Sequence, residues 1–224
     1  MEKYQIEFIE LLLNRNALKF GDFVLPSGHR TPYFFNMGEL NSGKDLSLVG
    51  RYFAIAIYNS FYKNPSNNIK FSTIFGAAYK GIPLASVTVA QIHELYDINL
   101  SFSSNRKEPK DHGERGLIMG SDIKDKNILL LDDIIAEGVT TKKLVSFIKK
   151  SQGKVNGLIV ALNREDHINT SKKTASQNIT EELKIPVYSI ITFSNILEYT
   201  KTSTEYSDIY QKLLSYKSSD LDIN

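Results

Sequence analysis

Apolar residues in this chain fall into two patterns that alternate along most of its length. Short continuous runs, which are typical of strands buried on both faces, are interleaved with stripes that recur every three or four residues, which are typical of amphipathic helices. This alternation predicts an α/β fold with a mostly parallel central sheet flanked by helices. The predicted strands cover residues 71–75, 98–103, 127–131, 155–162 and 186–192, and the predicted helices cover 45–62, 81–96, 140–151, 174–184 and 203–216.

The first part of the chain departs from this alternation. Residues 1–16 carry the apolar stripe of an amphipathic helix. Two predicted strands, 18–25 and 31–36, are joined by Pro26-Ser27-Gly28-His29, a turn-forming sequence that favours a hairpin over parallel pairing. We therefore expect a small N-terminal hood that is formed largely by residues 1–40.

The segment from Asn105 to Ser121, NRKEPKDHGERGLIMGS, shows no apolar periodicity. A connection of this length in a compact domain is typically a lid, a binding loop or a disordered segment. We interpret residues 105–120 as a lid that closes over an anionic ligand, and the alternative is a solvated loop of mixed charge. Its basic side chains are Arg106, Lys107, Lys110, His112 and Arg115.

Composition narrows the possible classes of function. The 224 residues suffice for one well-buried domain, and we expect a single domain over 1–224. The 27 Lys and Arg residues against 25 Asp and Glu give a formal charge of +2, so no general attraction to nucleic acid or membrane is predicted. The absence of Cys excludes a disulfide scaffold, a thiolate nucleophile and a Cys-rich zinc site. Since neither a signal peptide nor a membrane-spanning run is evident, we expect a soluble, cytoplasmic protein.

Two adjacent carboxylates, Asp132 and Asp133, follow the predicted strand at 127–131. Open α/β sheets bind ligands beyond the carboxyl ends of their strands, so this pair is expected in a site. Adjacent carboxylates can accept hydrogen bonds from two ribose hydroxyls and can stabilise positive charge on a sugar carbon. The turn at Gly138 leads into a predicted helix whose first N–H groups suit a phosphate. The alternative is helix capping by a solvated acidic pair.

A second predicted strand-to-helix turn, FGAAYKGIP, places Tyr79 and Lys80 at the same edge of the sheet. A lysine there can meet a diphosphate as a point charge, although an ordinary solvated lysine is the alternative. Arg164 ends a third strand, where it can pair with a ligand carboxylate or form a salt bridge with Glu165 or Asp166.

Consecutive aromatic residues, Tyr33, Phe34 and Phe35, occupy the second strand of the predicted hood. Successive side chains on a strand point to opposite faces, so one ring should be buried and another can stack on a planar ligand. Core packing of all three rings is the alternative.

Four motifs together resemble the bacterial-type orotate phosphoribosyltransferases, a branch of the type I phosphoribosyltransferase family. They are LKFGDFVLPSGHRTPYFFN at 18–36, FGAAYKGIP at 75–83, NRKEPKDHGERG at 105–116 and LLLDDIIAEGVTT at 129–141. The resemblance implies the type I phosphoribosyltransferase fold and a Mg²⁺-dependent transfer of a 5-phosphoribosyl group from 5-phosphoribosyl 1-diphosphate to orotate. The products would be diphosphate and orotidine 5′-monophosphate, in de novo pyrimidine (UMP) biosynthesis.

The resemblance also implies roles for individual residues. Catalysis would rest on Lys80, Lys110 and Asp133. The 5-phosphoribosyl 1-diphosphate site would comprise Tyr79, Lys80, Arg106, Lys107, Lys110, His112, Asp132, Asp133, Ile134, Ile135, Ala136, Glu137, Gly138, Val139 and Thr140. The orotate site would comprise Phe34, Phe35, Ala136 and Arg164. Mg²⁺ would be held mainly by diphosphate, ribose hydroxyls and water, without a direct protein ligand. The family further implies a homodimer in which the lid of one subunit completes the site of the other.

This chain departs from the family pattern at three places. Pro26 stands where the family usually has a lysine. In the phosphate loop, Ala136 and Val139 replace two threonines, and Glu137 adds a negative charge. We expect phosphate binding to depend on backbone amides and the activity to be retained.

Two other functions share parts of this pattern. A phosphoribosyltransferase for a purine or uracil would need a hood that reads a different ring, and Arg164 with Phe34-Phe35 argues against it. A regulator that only senses 5-phosphoribosyl 1-diphosphate would not need the lid motif.

Overall fold

The computed structural model describes residues 1–24, 28, 30–63, 69–110, 116–135, 138–167 and 173–221. The strands are β1 (Leu18–Val24), β2 (Arg30–Phe35), β3 (Thr73–Gly76), β4 (Ser101–Lys110), β5 (Gly116–Gly120), β6 (Asn127–Ile135), β7 (Lys154–Asn163) and β8 (Val187–Thr192). The α-helices are α1 (Lys3–Asn14), α2 (Gly43–Ile57), α3 (Gly81–Tyr96), α4 (Val139–Lys150), α5 (Ala175–Leu183), α6 (Phe193–Lys201) and α7 (Ser207–Leu221). The short helical elements are a π-helical turn at Tyr58–Tyr62 and 3₁₀ turns at Met37–Glu39 and Thr204–Tyr206.

A six-stranded sheet in the order β5-β4-β3-β6-β7-β8 forms the centre of the protein. All neighbouring strands from β4 to β8 in this order pair in parallel, and only β5 runs antiparallel, against β4 at the edge. The predicted α/β architecture is thereby confirmed. Because β3 and β6 are adjacent and parallel, their carboxyl ends lie side by side.

Both faces of the sheet are buried, as the continuous apolar runs predict. In β6, Ile128 and Leu130 belong to one apolar cluster, whereas Leu129 and Leu131 belong to the other. The helices α4 and α5 contribute to the first cluster, and α1, α2, α3, α6 and α7 contribute to the second. This two-sided burial explains why β6 needs no polar alternation until it reaches the edge of the sheet.

The predicted hood is a separate two-stranded antiparallel sheet in which Leu18 of β1 lies opposite Phe35 of β2. Tyr33 is fully buried, and its ring stacks on Phe193 at a centroid distance of 5.4 Å. Phe34, by contrast, remains 39% exposed. The alternation expected for these aromatic residues is therefore present.

Three elements differ from the sequence-based prediction. The segment interpreted as an irregular lid forms β4 and β5, because antiparallel pairing satisfies its backbone groups without an apolar pattern. Residues 111–115, at its tip, lie outside the described residues. The strand β6 continues through the Asp pair to Ile135, because β7 pairs alongside it that far. Helix α6 was not predicted; it follows β8 directly, with Thr192 as its N-cap.

None of the helices in the described part of the chain has the length and apolarity required to cross a membrane.

Candidate active site

Asp132, Asp133 and Lys80 come together at the carboxyl edge of the sheet. Gly76 at the end of β3 lies opposite Leu131 of β6, which aligns the turn after β3 with the Asp pair. Lys80 Nζ donates to Asp133 Oδ2 at 3.0 Å. Two motifs that the sequence indicated separately thus form one cluster of charges.

Two glycines, Gly76 and Gly81, lie in close contact at the turn that carries Lys80. A Cβ atom on Gly76 would lie 2.0 Å from the carbonyl oxygen of Gly81, so no side chain fits there. The backbone N–H of Ala78 donates to the Asn105 side-chain oxygen at 3.1 Å, which joins this turn to β4. Tyr79 points outward and is 63% exposed.

The Asp pair carries an unusual protonation equilibrium. Burial, and secondly the charge of Asp133, raise the pKa of Asp132 to about 7. The Asp133 N–H, which donates to Asp132 Oδ1 at 2.9 Å, and the more distant Lys80 act in the opposite direction. Lys80 pairs with Asp133 and leaves Asp132 without a cation in contact among the described residues, so the cluster favours a cationic or hydroxyl-rich ligand.

The predicted phosphate loop leads from β6 into the N-terminus of α4. Gly138 is the N-cap of α4 and has a φ of 76°, a left-handed conformation that glycine adopts without strain. A Cβ atom at this position would also approach Ile179 Cδ1 of α5 to 2.6 Å. Since glycine provides no capping side chain, the first N–H groups of α4 suit an anion.

The other residues of this loop have different surroundings. Ile135 is buried and Ile134 is half-buried, so only their backbones are suited to a polar ligand. Val139 is 51% exposed and Thr140 is exposed at the start of α4. The substituted positions Ala136 and Glu137 lie outside the described residues.

The lid residues are only partly described. Arg106 lies in β4 and is half-buried. The backbones of Lys107 and Lys110 also belong to β4, but their side chains lie outside the described part of the structure, as do His112 and Arg115 as a whole. The convergence of these cations on a ligand stays a prediction.

Arg164 follows the last residue of β7 and is only 4% exposed. Its Nε donates to Asp166 Oδ2 at 2.5 Å, so the salt bridge considered as an alternative is present. Its Nη2 donates to Thr31 Oγ1 at 3.4 Å, and its guanidinium carbon lies 4.7 Å from the centre of the Tyr33 ring. Phe35 is half-buried on the same strand as Tyr33. Thr31 and Tyr33 of the hood therefore contact Arg164, and a site shared by Phe34, Phe35 and Arg164 stays a prediction.

Sequence reasoning missed the groups that surround Arg164. Asp166 was considered only as an alternative ion-pair partner, and Tyr216 of α7 was not considered at all. The Tyr216 hydroxyl donates to Asp166 Oδ1 at 3.2 Å. The sequence Arg-Glu-Asp at the end of a strand was the available signal for Asp166. Tyr216 lies 50 residues further along the chain and gave no local signal.

A cleft of about 500 Å³ opens elsewhere, between the hood and α7. Its lining includes Asp22 and Arg30, which form an exposed ion pair at 2.7 Å, and Lys212. Neither Asp132 nor Lys80 borders it. We therefore place the candidate site by its chemistry, at the sheet edge, rather than by the size of this cleft.

Comparison with known proteins identifies the family of this chain. The family model described as "Phosphoribosyl transferase domain" matches residues 44–190. The orotate phosphoribosyltransferase of Photorhabdus laumondii subsp. laumondii is 38% identical over 217 residues, which are 97% of this chain and 98% of that protein. This chain belongs to the orotate phosphoribosyltransferase family.

Further members of the family extend the comparison. The orotate phosphoribosyltransferase of Kluyveromyces lactis is 43% identical over 207 residues, covering 89% of this chain and 88% of that protein. The crystal structure of the orotate phosphoribosyltransferase of Francisella tularensis aligns with a TM-score of 0.82 at 31% identity, covering 95% of this chain and 98% of that one. The family and fold predicted from the four motifs are confirmed.

Proposed function

We propose that the protein transfers the 5-phosphoribosyl group of 5-phosphoribosyl 1-diphosphate to N1 of orotate, giving orotidine 5′-monophosphate and diphosphate. The observation that carries the proposal is the contact of Lys80 with Asp133 at 3.0 Å beside Asp132, at the end of two adjacent parallel strands. Membership of the orotate phosphoribosyltransferase family supports it.

The arrangement matches the parts of the phosphoribosyl donor. Asp132 and Asp133 accept hydrogen bonds from the two ribose hydroxyls. The N-terminus of α4, entered through Gly138, binds the 5-phosphate with backbone N–H groups. Lys80 is placed for the diphosphate, and Tyr79 borders it from the same turn.

The reaction breaks the bond between C1 of the ribose and the diphosphate oxygen and forms the bond between C1 and orotate N1. The electron pair of the broken bond leaves with the diphosphate, so positive charge develops on the sugar. The Asp132 and Asp133 carboxylates stabilise that charge, and Lys80 stabilises the leaving group. Orotate enters as an anion, so no basic side chain is required to activate it.

The donor set of the cluster fits Mg²⁺ bound through the substrate. Mg²⁺ prefers oxygen ligands and keeps much of its water, and two carboxylates beside one ammonium group, which pairs with Asp133, leave negative charge beside the ribose. The described residues contain no group of three His, Asp or Glu side chains that would enclose a metal. When bound, Mg²⁺ supplies charge neutralisation of the diphosphate.

Orotate is assigned to the space between the hood and the end of β7. Phe34 offers an exposed ring for stacking on the pyrimidine, and Phe35 lies beside it on the same strand. The terminal nitrogens of Arg164 face the carboxylate of orotate, because Nε already binds Asp166. Entry of orotate then requires the hood to open over the buried Arg164.

The assembly is also part of the proposal. The 224 residues act as one domain, with a hood from residues 1–40 and a lid from residues 105–120. The lid of one subunit, with Arg106, Lys107, Lys110 and His112, covers the diphosphate in the site of its partner within a homodimer. Closure excludes water from the reactive sugar. We place the protein in the cytoplasm.

The test is a spectrophotometric assay with orotate, 5-phosphoribosyl 1-diphosphate and Mg²⁺, repeated with uracil, hypoxanthine and adenine in place of orotate. We expect turnover with orotate that depends on added Mg²⁺ and is abolished by chelation. Turnover with a purine and none with orotate would contradict the proposed function.

A further inference from the structure

Arg164 is held by groups that take no part in the proposed reaction. The Asp166 carboxylate accepts from Nε at 2.5 Å, and the Thr31 hydroxyl accepts from Nη2 at the longer distance of 3.4 Å. The face of the guanidinium lies over the Tyr33 ring. A planar cation contacted along one edge and on one face has few orientations left.

Asp166 is itself held by the C-terminal helix. Tyr216 of α7 donates its hydroxyl to Asp166 Oδ1 at 3.2 Å, while Oδ2 accepts from Arg164. Burial and the charge of Asp166 raise the pKa of Tyr216, so the hydroxyl keeps the proton that it donates. The Tyr216 ring also packs edge-on against Tyr33 and Phe193, at centroid distances of 6.4 and 5.7 Å.

The residue between Arg164 and Asp166 is fixed to a second helix. Glu165 has a φ of 57°, and its carboxylate accepts from the backbone N–H of Ser194 at 2.7 Å and from the Ser194 hydroxyl at 2.6 Å. Lys217 of α7 donates to the same Ser194 hydroxyl at 2.8 Å. The turn after β7 is therefore tied to the N-terminus of α6 and to two consecutive residues of α7.

These contacts determine which edge of the Arg164 guanidinium can bind a ligand carboxylate. A guanidinium can bind one carboxylate at Nε and a second through its two terminal nitrogens. Asp166 occupies Nε, and the hydrogen bond to Thr31 is long enough for an incoming carboxylate to replace it at little cost. The terminal pair is consequently the edge that can bind a ligand carboxylate in bidentate fashion, once its hydrogen bonds to Thr31 and Tyr216 give way.

We propose that Asp166 and Tyr216 are positioning residues, which orient Arg164 toward the carboxylate of orotate and thereby couple α7 to recognition of the pyrimidine. The proposal rests on the proposed function, because it assumes that orotate is the substrate. A purely structural role of the same contacts would lower stability and affect both substrates together.

The test compares Tyr216→Phe, Asp166→Asn and Asp166→Glu with the parent enzyme, by steady-state kinetics for each substrate and by thermal unfolding. In Tyr216→Phe, which keeps the ring packed, we expect the KM for orotate to rise about fivefold, the equivalent of one hydrogen bond of about 1 kcal/mol. In Asp166→Asn the rise should be about tenfold or more, because the amide that replaces the carboxylate carries no charge to pair with the guanidinium. The KM for 5-phosphoribosyl 1-diphosphate should stay within about twofold.

Two variants separate positioning from packing. Asp166→Glu keeps a carboxylate and should recover part of the orotate affinity that Asp166→Asn loses. Tyr210→Phe removes a hydroxyl from the same helix, away from the Asp166 contact, and should leave both KM values unchanged. Tyr216→Phe is the informative variant if Asp166→Asn does not fold, because it leaves the Arg164 ion pair in place.

The KM values of the variants either support or overturn the positioning role of Asp166 and Tyr216. A selective rise in the orotate KM for Tyr216→Phe, with Tyr210→Phe unchanged, supports the proposal. An unchanged orotate KM in folded Tyr216→Phe, or equal changes for both substrates together with a lower melting temperature, overturns it while leaving the proposed function intact. Absence of orotate turnover by the parent enzyme overturns the proposed function and, with it, this inference.

Discussion

The protonation state of Asp132 is set by its neighbours more than by its own chemistry. Because its pKa is raised, Asp132 keeps its proton in the folded protein at pH values between 3.8, its ordinary pKa, and about 7. In the unfolded chain the same carboxyl group has lost its proton over this range. The contribution of this group to stability is therefore full below pH 3.8 and is lost as the pH rises to about 7. The charged carboxylate that the proposed reaction uses is thus maintained at a cost to stability.

Replacing Asp132 with Asn tests whether the charge of this side chain lowers stability while supporting activity. At pH 8 we expect the free energy of unfolding of Asp132→Asn to exceed that of the parent by about 1–2 kcal/mol, because the buried charge is absent. Activity should fall at least tenfold, about 1.4 kcal/mol, because a ribose acceptor is lost. Urea denaturation at pH 4 and pH 8 measures the difference in the free energy of unfolding, which should shrink at the lower pH.

Glu94→Gln, at an exposed glutamate, serves as the control. An Asp132→Asn variant that is less stable than the parent at pH 8 would contradict the raised pKa of Asp132.

Lys80 offers a test of leaving-group stabilisation. Lys80→Met keeps the length of the side chain but removes the ammonium group 3.0 Å from Asp133. We expect kcat/KM to fall at least about a hundredfold, about 2.7 kcal/mol, as for other preorganised charges in active sites. Lys149→Met, an exposed lysine in the last turn of α4, should be close to the parent. Equal kcat/KM in both variants would remove Lys80 from the catalytic set.

The sequence indicated individual site residues better than it indicated their partners. Lys80 and the Asp pair were identified because each follows an apolar run, which is a local signal. The contact of Asp166 with Tyr216 could not be predicted, because α7 reaches this loop only through tertiary packing. The alternatives considered for Arg164 included its true partner, but no local pattern distinguished Asp166 from Glu165.

Helix and strand ends determine how these side chains meet. Helix α3, Gly81–Tyr96, was predicted over its observed range, because its apolar stripe is bounded by the glycine turn and by Asp97 in a left-handed conformation. Strand β5 was missed, since its apolar run, Leu117-Ile118-Met119, is only three residues long and lies at the edge of the sheet. Helix α6 was missed because it follows β8 without an intervening loop.

The substitution Gly138→Ala tests whether the backbone conformation at the start of α4 is needed for stability and for phosphate binding. In Gly138→Ala, the positive φ and the approach of Cβ to Ile179 should destabilise the fold by about 1–3 kcal/mol. The affinity for 5-phosphoribosyl 1-diphosphate should fall as well, because the first N–H groups of α4 shift. Calorimetry of unfolding and ligand titration measure the two effects. Gly43→Ala, at a helix start with open space around the Cβ position, should unfold at the same temperature as the parent or slightly above it. Wild-type affinity in Gly138→Ala would argue against phosphate binding there.

For the whole molecule, the order of elements was the most predictable property. Alternating runs and stripes, with both faces of the strands apolar, leave few arrangements other than a parallel sheet covered on two sides. The placement of the hood over Arg164 was not predictable, because it depends on contacts such as Tyr33 with Phe193, which are 160 residues apart by number. Family resemblance, rather than hydrophobic pattern, supplied that expectation.

The proposed sharing of the lid between two subunits makes a prediction about mixed dimers. Lys110→Ala subunits and Asp133→Asn subunits should each be inactive alone, because one lacks the lid cation and the other lacks a site carboxylate. After subunit exchange, each mixed dimer should contain one intact site and recover activity. Mass spectrometry of the assembly verifies the exchange. Verified mixed dimers no more active than either parent variant would exclude a site built from two subunits.

The hydrogen bond from Ala78 to Asn105 offers a way to measure motion of the proposed lid. Asn105 stands in β4 at the base of the proposed lid, and Ala78 immediately precedes the pair Tyr79-Lys80. The Ala78 amide hydrogen can exchange with solvent deuterium only when this contact opens. Its exchange rate would therefore record how often β4, at the base of the proposed lid, separates from the turn that carries Tyr79 and Lys80, independently of whether catalysis is occurring.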